Sequence, residues 1–365
     1  MSGYNILIPS SCQQTSPELT LPIMDALQVL GHTPVVLDMA SMAAMYHEMR
    51  YERHGCYEIF GFYTRDMIKE GKIDFGISVG LGLILEDPLK NEAHNLVDES
   101  GLPNVIYLHQ RTNAALAKLK AIGADTWRHT YFVSSCKSIT EELRASGISM
   151  VETLAPGTSA RLFYPQDQAP ENAVFAAKRD DGWATEGFDV SFVGSYSPLR
   201  EKLLTALARA GIRLAVFGDA GWKQSTELRP FYRNQARYMQ DVNTIYNHSS
   251  LNLDLPFDDQ QSPDYVSSRL FDCLASGNCM LTYNRPALAY YFEPEHELAT
   301  FETGHNGDAV ILILQSVKYY LEQEVDRQAL ASRGRRRVMS RHLWQHRLEG
   351  LMPRLEMHLL QTAVR

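Results

Sequence analysis

Arg269 and Asp272 stand three residues apart in the string SSRLFDCLASG. On a helix that spacing puts a guanidinium and a carboxylate on one face. Such a pair can hold a phosphate and a ribose hydroxyl, the cation through charge-assisted hydrogen bonds. It can equally be a surface ion pair of little weight. Asp264 lies eight residues ahead of Asp272, at the mouth of the preceding polar loop. A second group is Gly194-Ser195 followed by Arg200. Here a glycine lets backbone approach a ligand, a helix start offers free N–H groups to an anion, and Arg200 can add a contact to a diphosphate. The string is neither GxGxxG nor a Walker loop, and a plain α/β turn with a surface arginine reads the same way. In Gly218-Asp219-Ala220-Gly221-Trp222-Lys223, Trp222 can stack on a nucleobase and Lys223 can meet a phosphate. A lone tryptophan is more often a packing residue. Tyr246, just ahead of the next apolar run, can serve the same site or only pack.

Other chemistries find less support. His342 and His346 are four apart, but an HExxH site needs a glutamate where Leu343 stands, and no third ligand is indicated, so no metal is expected. No Asp-x-Asp occurs, the usual sign of one kind of divalent-metal nucleotide-sugar site. There is no GxSxG elbow, and the cysteines have no neighbouring histidine pattern, which argues against a nucleophilic hydrolase.

The elements that must carry these groups centre on Ser249 to Tyr283. Leu251, Leu253 and Leu255 alternate with Asn252, Asp254 and Pro256, which predicts a strand. Val266, Leu270, Phe271 and Leu274 then fall at helical spacing, with Gly277 as the C-terminal stop. Cys279 to Tyr283 is the next strand. A strand feeding a loop at a helix start is where α/β proteins bind ligands. Upstream, strands are expected at Tyr4–Pro9, Pro34–Asp38, Ile73–Val79, Asn104–His109, Tyr131–Ser134 and Met150–Leu154. Helices are expected at Leu19–Leu30, Thr64–Glu70, Asn91–Ser100, near Asn113–Ile122, and at Lys137–Ser146. Met39–Tyr63 has no clear pattern. Gln166–Gly187 lacks a period and reads as a linker. A second series follows, with strands at Phe188–Val193, Arg213–Phe217 and Glu297–Phe301. Its helices are at Leu199–Ala210, Gln240–Asn247, Asp308–Leu321, Asp326–Ser340 and His342–Leu360. The expected fold is α/β, with two doubly wound Rossmann-like domains facing a cleft and C-terminal helices packing back across them. The boundaries are 1–165, a linker at 166–187, 188–340, and a closing helix at 341–365.

The chain has 365 residues, 45% of them hydrophobic and 21% charged, enough for two cores. The net charge is -8, and Arg335 to Arg337 is the densest basic block, so a nucleic-acid track is not expected. The five cysteines are scattered and include no CxxC, as in a reduced cytoplasmic protein. The first residues lead directly into a strand-like run without a signal peptide, and Ala309–Leu314 is far too short to span a bilayer.

The strings SFVGSYSPLREKLLTAL, GDAGW, IYNHSSLNLDL, SRLFDCLASGNCMLTYNRPALAYYFEPEHELATF and SRHLWQHRLE, in that order, resemble the CgeB-like (spore maturation protein type) glycosyltransferases of the GT-B class. Upstream, APGTSARLFYP is similar to the segment that leads into the interdomain linker in that class. The resemblance implies a nucleotide-sugar donor on the second domain and an acceptor on the first. It makes Gly194, Ser195 and Arg200 the phosphate-side turn, and puts Trp222 and Lys223 near the base or phosphates. It makes Arg269 and Asp272 the family's R-x-F-E/D helix, with Asp in place of the usual Glu, and leaves the role of Asp264 open. Ser276, Gly277 and Asn278 would lie on the ligand side of their turn. Transfer without a metal is implied, with Arg200, Lys223 or Arg269 and the helix starts stabilising the departing diphosphate. An inverting enzyme would also need an acceptor-side base, for which His109 is the first candidate. No cofactor is expected beyond the nucleotide sugar, and the favoured acceptor is a protein or glycan. A non-catalytic sugar-nucleotide or glycan binder of the same fold, or a sugar-phosphate epimerase, is the alternative.

Overall fold

The structure is a computed structural model. It describes residues 3–10, 17–38, 65–80, 84–87, 92–95, 102–109, 119, 127, 129–171, 187–233, 240–257, 264–302 and 308–363. The chain forms two compact units. One comprises Met1–Ala155 with Trp344–Arg365, the other Pro156–Leu343.

In the first unit, strands β1 (Asn5–Ser10), β2 (Thr33–Asp38), β3 (Phe75–Val79), β6 (Asn104–Leu108), β7 (Thr130–Ser134) and β8 (Val151–Thr153) form one parallel sheet in the order β2-β1-β3-β6-β7-β8. Strands β3, β6 and β7 are buried at every position. That is the mark of parallel strands covered on both faces. Helix α1 (Pro17–Val29) and the C-terminal helix α8 (Trp344–Ala363) pack on each other in the core of this unit. Trp344, Leu348, Leu351, Met352 and Leu355 recur at helical spacing and join Ile6, Ile8, Ile77 and Tyr107 in one apolar cluster. Helix α2 (Lys137–Ala145) lies between β7 and β8 in sequence.

A separate antiparallel pair joins β4 (Ile84–Asp87) to β5 (Glu92–Asn95). A helix is expected over 91–100, but residues 92–95 are a strand; Glu-Ala-His-Asn has no apolar stripe to bury as a helix, and pairing with β4 satisfies its backbone instead. The helix expected near 113–122 and the segment 39–63 lie outside the described residues, Leu119 apart.

The second unit holds β9 (Phe188–Val193), β10 (Leu214–Phe217), β11 (Ser249–Asp254), β12 (Met280–Tyr283) and β13 (Ala299–Phe301), all parallel, in the order β10-β9-β11-β12-β13. Side chains alternate between its two faces. Leu214 and Val216 join the cluster under α3 (Pro198–Arg209) and α6 (Ala309–Glu322). Ala215 and Phe217 join the one under α4 (Gln240–Asn247) and α5 (Ser268–Ala275). Helix α7 (Glu324–Arg341) packs on α5. Gly277 ends α5 at φ 77°, and a Cβ there would meet Pro165 Cγ at 2.9 Å. In the segment expected as a linker, Gln166–Gln168 is a 3₁₀ turn whose Gln166 N donates to Asn247 Oδ1 of α4 at 3.1 Å.

The helix expected from His342 begins at Trp344. His342 caps α7, its Nε2 stands 3.1 Å from Tyr291 O, and Leu343 bridges Thr158 in extended form. His342 and His346 therefore do not share a helix, and the four-residue ligand spacing is not realised. Cys136, Cys273 and Cys279 are buried thiols. Among the described residues no helix is long and apolar enough to cross a membrane.

Candidate functional site

In the second sheet the chain runs from β9 outward to β10, then returns to place β11 on the other side of β9. The carboxyl ends of β9 and β11 are thus a topological switch point, where open α/β sheets bind ligands. Two helices begin beside it. Ser197 caps α3 by accepting from Arg200 N at 3.3 Å, and Ser267 caps α5 by accepting from Arg269 N at 3.3 Å. Pro198 opens α3 without an N–H, so the first-turn donors that the caps leave to an anion are Leu199 N–H in α3 and Ser268 N–H in α5.

Three guanidinium groups gather there around one carboxylate. Asp254, the last residue of β11, is 2% exposed. Its Oδ1 is 3.2 Å from Arg269 Nη1, and its Oδ2 accepts from Thr282 Oγ1 at 2.9 Å and from Arg285 Nη2 at 3.2 Å. Burial opposes the charge on Asp254, but Arg285 and Arg269 outweigh it and hold the carboxyl below its ordinary range. Arg200 donates to Ser195 O at 2.8 Å, Leu255 O at 2.9 Å and Pro256 O at 3.1 Å. Its guanidinium also lies 5.2 Å from the Phe192 ring centre and 5.0 Å from that of Phe257. Arg200 thereby ties the turn after β9 to the segment after β11. Burial, and then the like charge of Arg269, lower its pKa to about 9, so it stays cationic at neutral pH. A Cβ on Gly194 would stand 3.3 Å from Arg269 Nη2, which places that nitrogen against the glycine turn. The structure therefore brings Gly194, Ser195, Arg200 and Arg269 together.

The remaining sequence candidates occupy other places. Trp222 is fully buried, edge-on to Phe192 and Tyr196, and its indole N–H donates to Gly194 O at 2.9 Å. It supports the glycine turn from beneath, with no open face for a base. Lys223 is exposed in the 3₁₀ turn Ala220–Gln224. Tyr246 lies in the core, where burial raises its phenol well above its usual pKa. Asp264 is half-buried ahead of α5. Asp272 is buried and accepts from Thr158 Oγ1 at 2.6 Å, so α5 sends Arg269 to the switch point and Asp272 to the 156–165 segment. Ser276 Oγ is 2.7 Å from Asn243 Oδ1, which also accepts from Tyr164 N at 3.1 Å. Gly277 and Asn278 line the amino end of the sheet, at the opposite end from Arg200, Arg269 and Arg285. His109 follows β6 of the first unit, half-buried, and its carbonyl accepts from Ser135 Oγ at 2.7 Å.

Sequence reasoning missed Arg285 and gave Asp254 no role beyond its place in a strand. The available signal was position: a carboxylate and an arginine, each at the end of one of two consecutive strands.

Residues 200–353 match a protein family described as glycosyl transferase-like. No curated protein matches the chain significantly. Among solved structures, a glycosyltransferase from Rickettsia africae ESF-5 is similar with TM-score 0.64 and 12% identity, over 98% of this chain and 99% of that one. Anabaena Alr3699/HepE in complex with UDP-glucose gives TM-score 0.63 at 10% identity, over 97% and 100%. Sucrose-phosphate synthase from Thermosynechococcus elongatus gives 0.60 at 14%, over 98% and 99%. The chain has the GT-B fold of these solved structures, and its similarity to the glycosyl transferase-like family extends over residues 200–353.

Proposed function

We propose that the protein transfers a sugar from a nucleoside diphosphate sugar to a protein or glycan acceptor, without a metal, in the manner of the CgeB-like glycosyltransferases its sequence resembles. The observation that carries this reading is the meeting of Arg200, Arg269 and the starts of α3 and α5 at the β9/β11 switch point. In the reaction the sugar C1–O bond to the diphosphate breaks as an acceptor oxygen bonds to C1. The negative charge that develops on the departing diphosphate is met by Arg269 and by the helix-start N–H groups around Gly194 and Ser195. Arg200 acts at the same place by field and by fixing the turn, and Lys223 adds a surface cation after β10. Trp222 supports the glycine turn from beneath and Asp264 stands ahead of α5, while Tyr246, Asp272, Ser276 and Gly277 act through the surrounding packing. An inverting route requires a base for the acceptor proton, and His109 at the carboxyl end of β6 is assigned to it. The complex of Anabaena Alr3699/HepE with UDP-glucose makes a UDP-sugar the first donor to try.

A thermal-shift panel of UDP-, GDP-, dTDP- and CMP-sugars tests the reading, with Arg269→Ala as control. A donor that stabilises the native protein but not the variant supports it. No shift with any donor removes it. Binding without release of nucleoside diphosphate in the presence of acceptors would instead identify a non-catalytic binder.

A further inference from the structure

Phe257 stands three residues past the end of β11, at the carboxyl end of a strand that borders the switch point. It is 41% exposed, whereas the other described rings there are covered: Phe192 and Trp222 are buried, and Tyr196, Tyr265 and Tyr283 are half-buried. Single exposed apolar side chains are ordinary on protein surfaces. This one differs in its place and in what holds it. The Arg200 guanidinium lies 5.0 Å from its ring centre, rests on the Phe192 ring at 5.2 Å, and donates to the carbonyls of Leu255 and Pro256 just before it. Arg200 is itself 2% exposed, so a ligand beside Gly194 and Ser195 can touch the phenyl ring but not the cation that steadies it. A ring fixed on one side and open on the other is what stacking on a flat heterocycle requires, and every nucleobase has such a face. In the donor, the nucleoside adjoins the diphosphate and still needs an apolar surface. Trp222, which sequence assigns to that task, is spent beneath the glycine turn.

We propose that Phe257 is the stacking platform for the nucleobase of the donor, its ring held in place by Arg200. This rests on the donor-site reading above. The test compares calorimetric affinities for UDP and for inorganic pyrophosphate, which keeps the diphosphate and lacks the base. Phe257→Ala is expected to weaken UDP by about tenfold or more and to leave pyrophosphate within about twofold of wild type. Phe257→Leu keeps apolar bulk on Arg200 without a flat ring, and is expected to lose UDP in the same selective way. Phe257→Tyr keeps the ring and is expected to hold UDP within about threefold of wild type. A ring that only packs on Arg200 predicts something else: UDP and pyrophosphate weaken together in F257A, and F257L binds both as wild type does. Either result overturns the inference while the donor site stands, as does F257A that binds UDP unchanged or F257Y as weak as F257L. Should F257A fail to fold, F257L decides alone, by losing or keeping its preference for UDP over pyrophosphate. Wild-type protein that binds none of UDP, GDP, dTDP and CMP overturns the donor site itself, and this inference with it.

Discussion

Both ends of the second sheet are lined with arginine, and they use it differently. At the amino end, Arg327 donates to the carbonyls of Tyr320 and Leu321 that finish α6, and Arg335 donates to Ala275 O at the end of α5. Arg337 pairs with Glu297 at 2.9 Å. These cations close helices or meet a carboxylate, and Arg327 and Arg335 line a groove of about 630 Å³ there together with exposed Arg336. At the carboxyl end two arginines share one buried carboxylate, a third binds only carbonyls and ring faces, and two helices begin rather than end. Helix starts and arginines add fields of the same sign there; helix ends and arginines offset each other at the amino end. The difference between an anion site and a capped helix lies in that pairing, and the number of arginines does not reveal it.

The contrast can be broken most forcefully at Asp254. Asp254→Ala leaves buried Arg285 without its counter-charge and is expected to cost roughly 3–5 kcal/mol in urea unfolding. A loss no larger than that of a surface variant would mean Arg285 is charge-balanced elsewhere. The wild-type carboxyl also has a pH signature. Its folded pKa lies below the ordinary 3.8, so its contribution is present above pH 3.8 and is lost as pH falls through the folded value. Asp254→Asn should flatten stability against pH in that acid range only. Next in size, Arg269→Ala should lower affinity for UDP by about 10- to 100-fold, and because it takes a donor from buried Asp254 it should cost about 1–3 kcal/mol in stability. Trp222→Phe removes the donor to Gly194 O and should cost about 1–2 kcal/mol, seen as a lower melting temperature. Weakened UDP binding with unchanged stability would instead give the indole a ligand-facing role. The smallest effect belongs to the amino end. Exposed Arg336→Ala should stay within about 0.5 kcal/mol in stability and leave UDP affinity unaltered, and a lost affinity there would erase the distinction between the two ends.

Much of this architecture was legible before any coordinates. Leu203, Leu204 and Leu207 of α3 and the glycines at 31, 147, 211 and 277 announced helices and their stops, and each of these glycines has positive φ. Gly194, Arg200 and Arg269 were legible as a group because strand–turn–helix strings fix where such residues fall. What could not be read was which polar residues go inside. Asn252 and Asp254 alternate with leucines as solvent-facing residues do, yet β11 is the middle strand and both are buried; Asn252 accepts from Ser191 Oγ at 2.6 Å, and Asp254 has its arginines. Sequence period reports two faces and is silent on whether the second is covered. Asp272 misled for a related reason: three residues from Arg269 on one helix, it turns to Thr158, a partner 114 positions away.

The chain leaves the first unit at Ala155 and comes back at Trp344, where Thr158 N donates to His342 O at 3.1 Å beside the return. During translation the ribosome has therefore released every strand of the first unit long before α8 emerges to cover Tyr107 and its neighbours. The domain whose synthesis starts second is the first to have all its parts, and the earlier one waits with an unfinished apolar wall that a nascent-chain chaperone would have reason to shield.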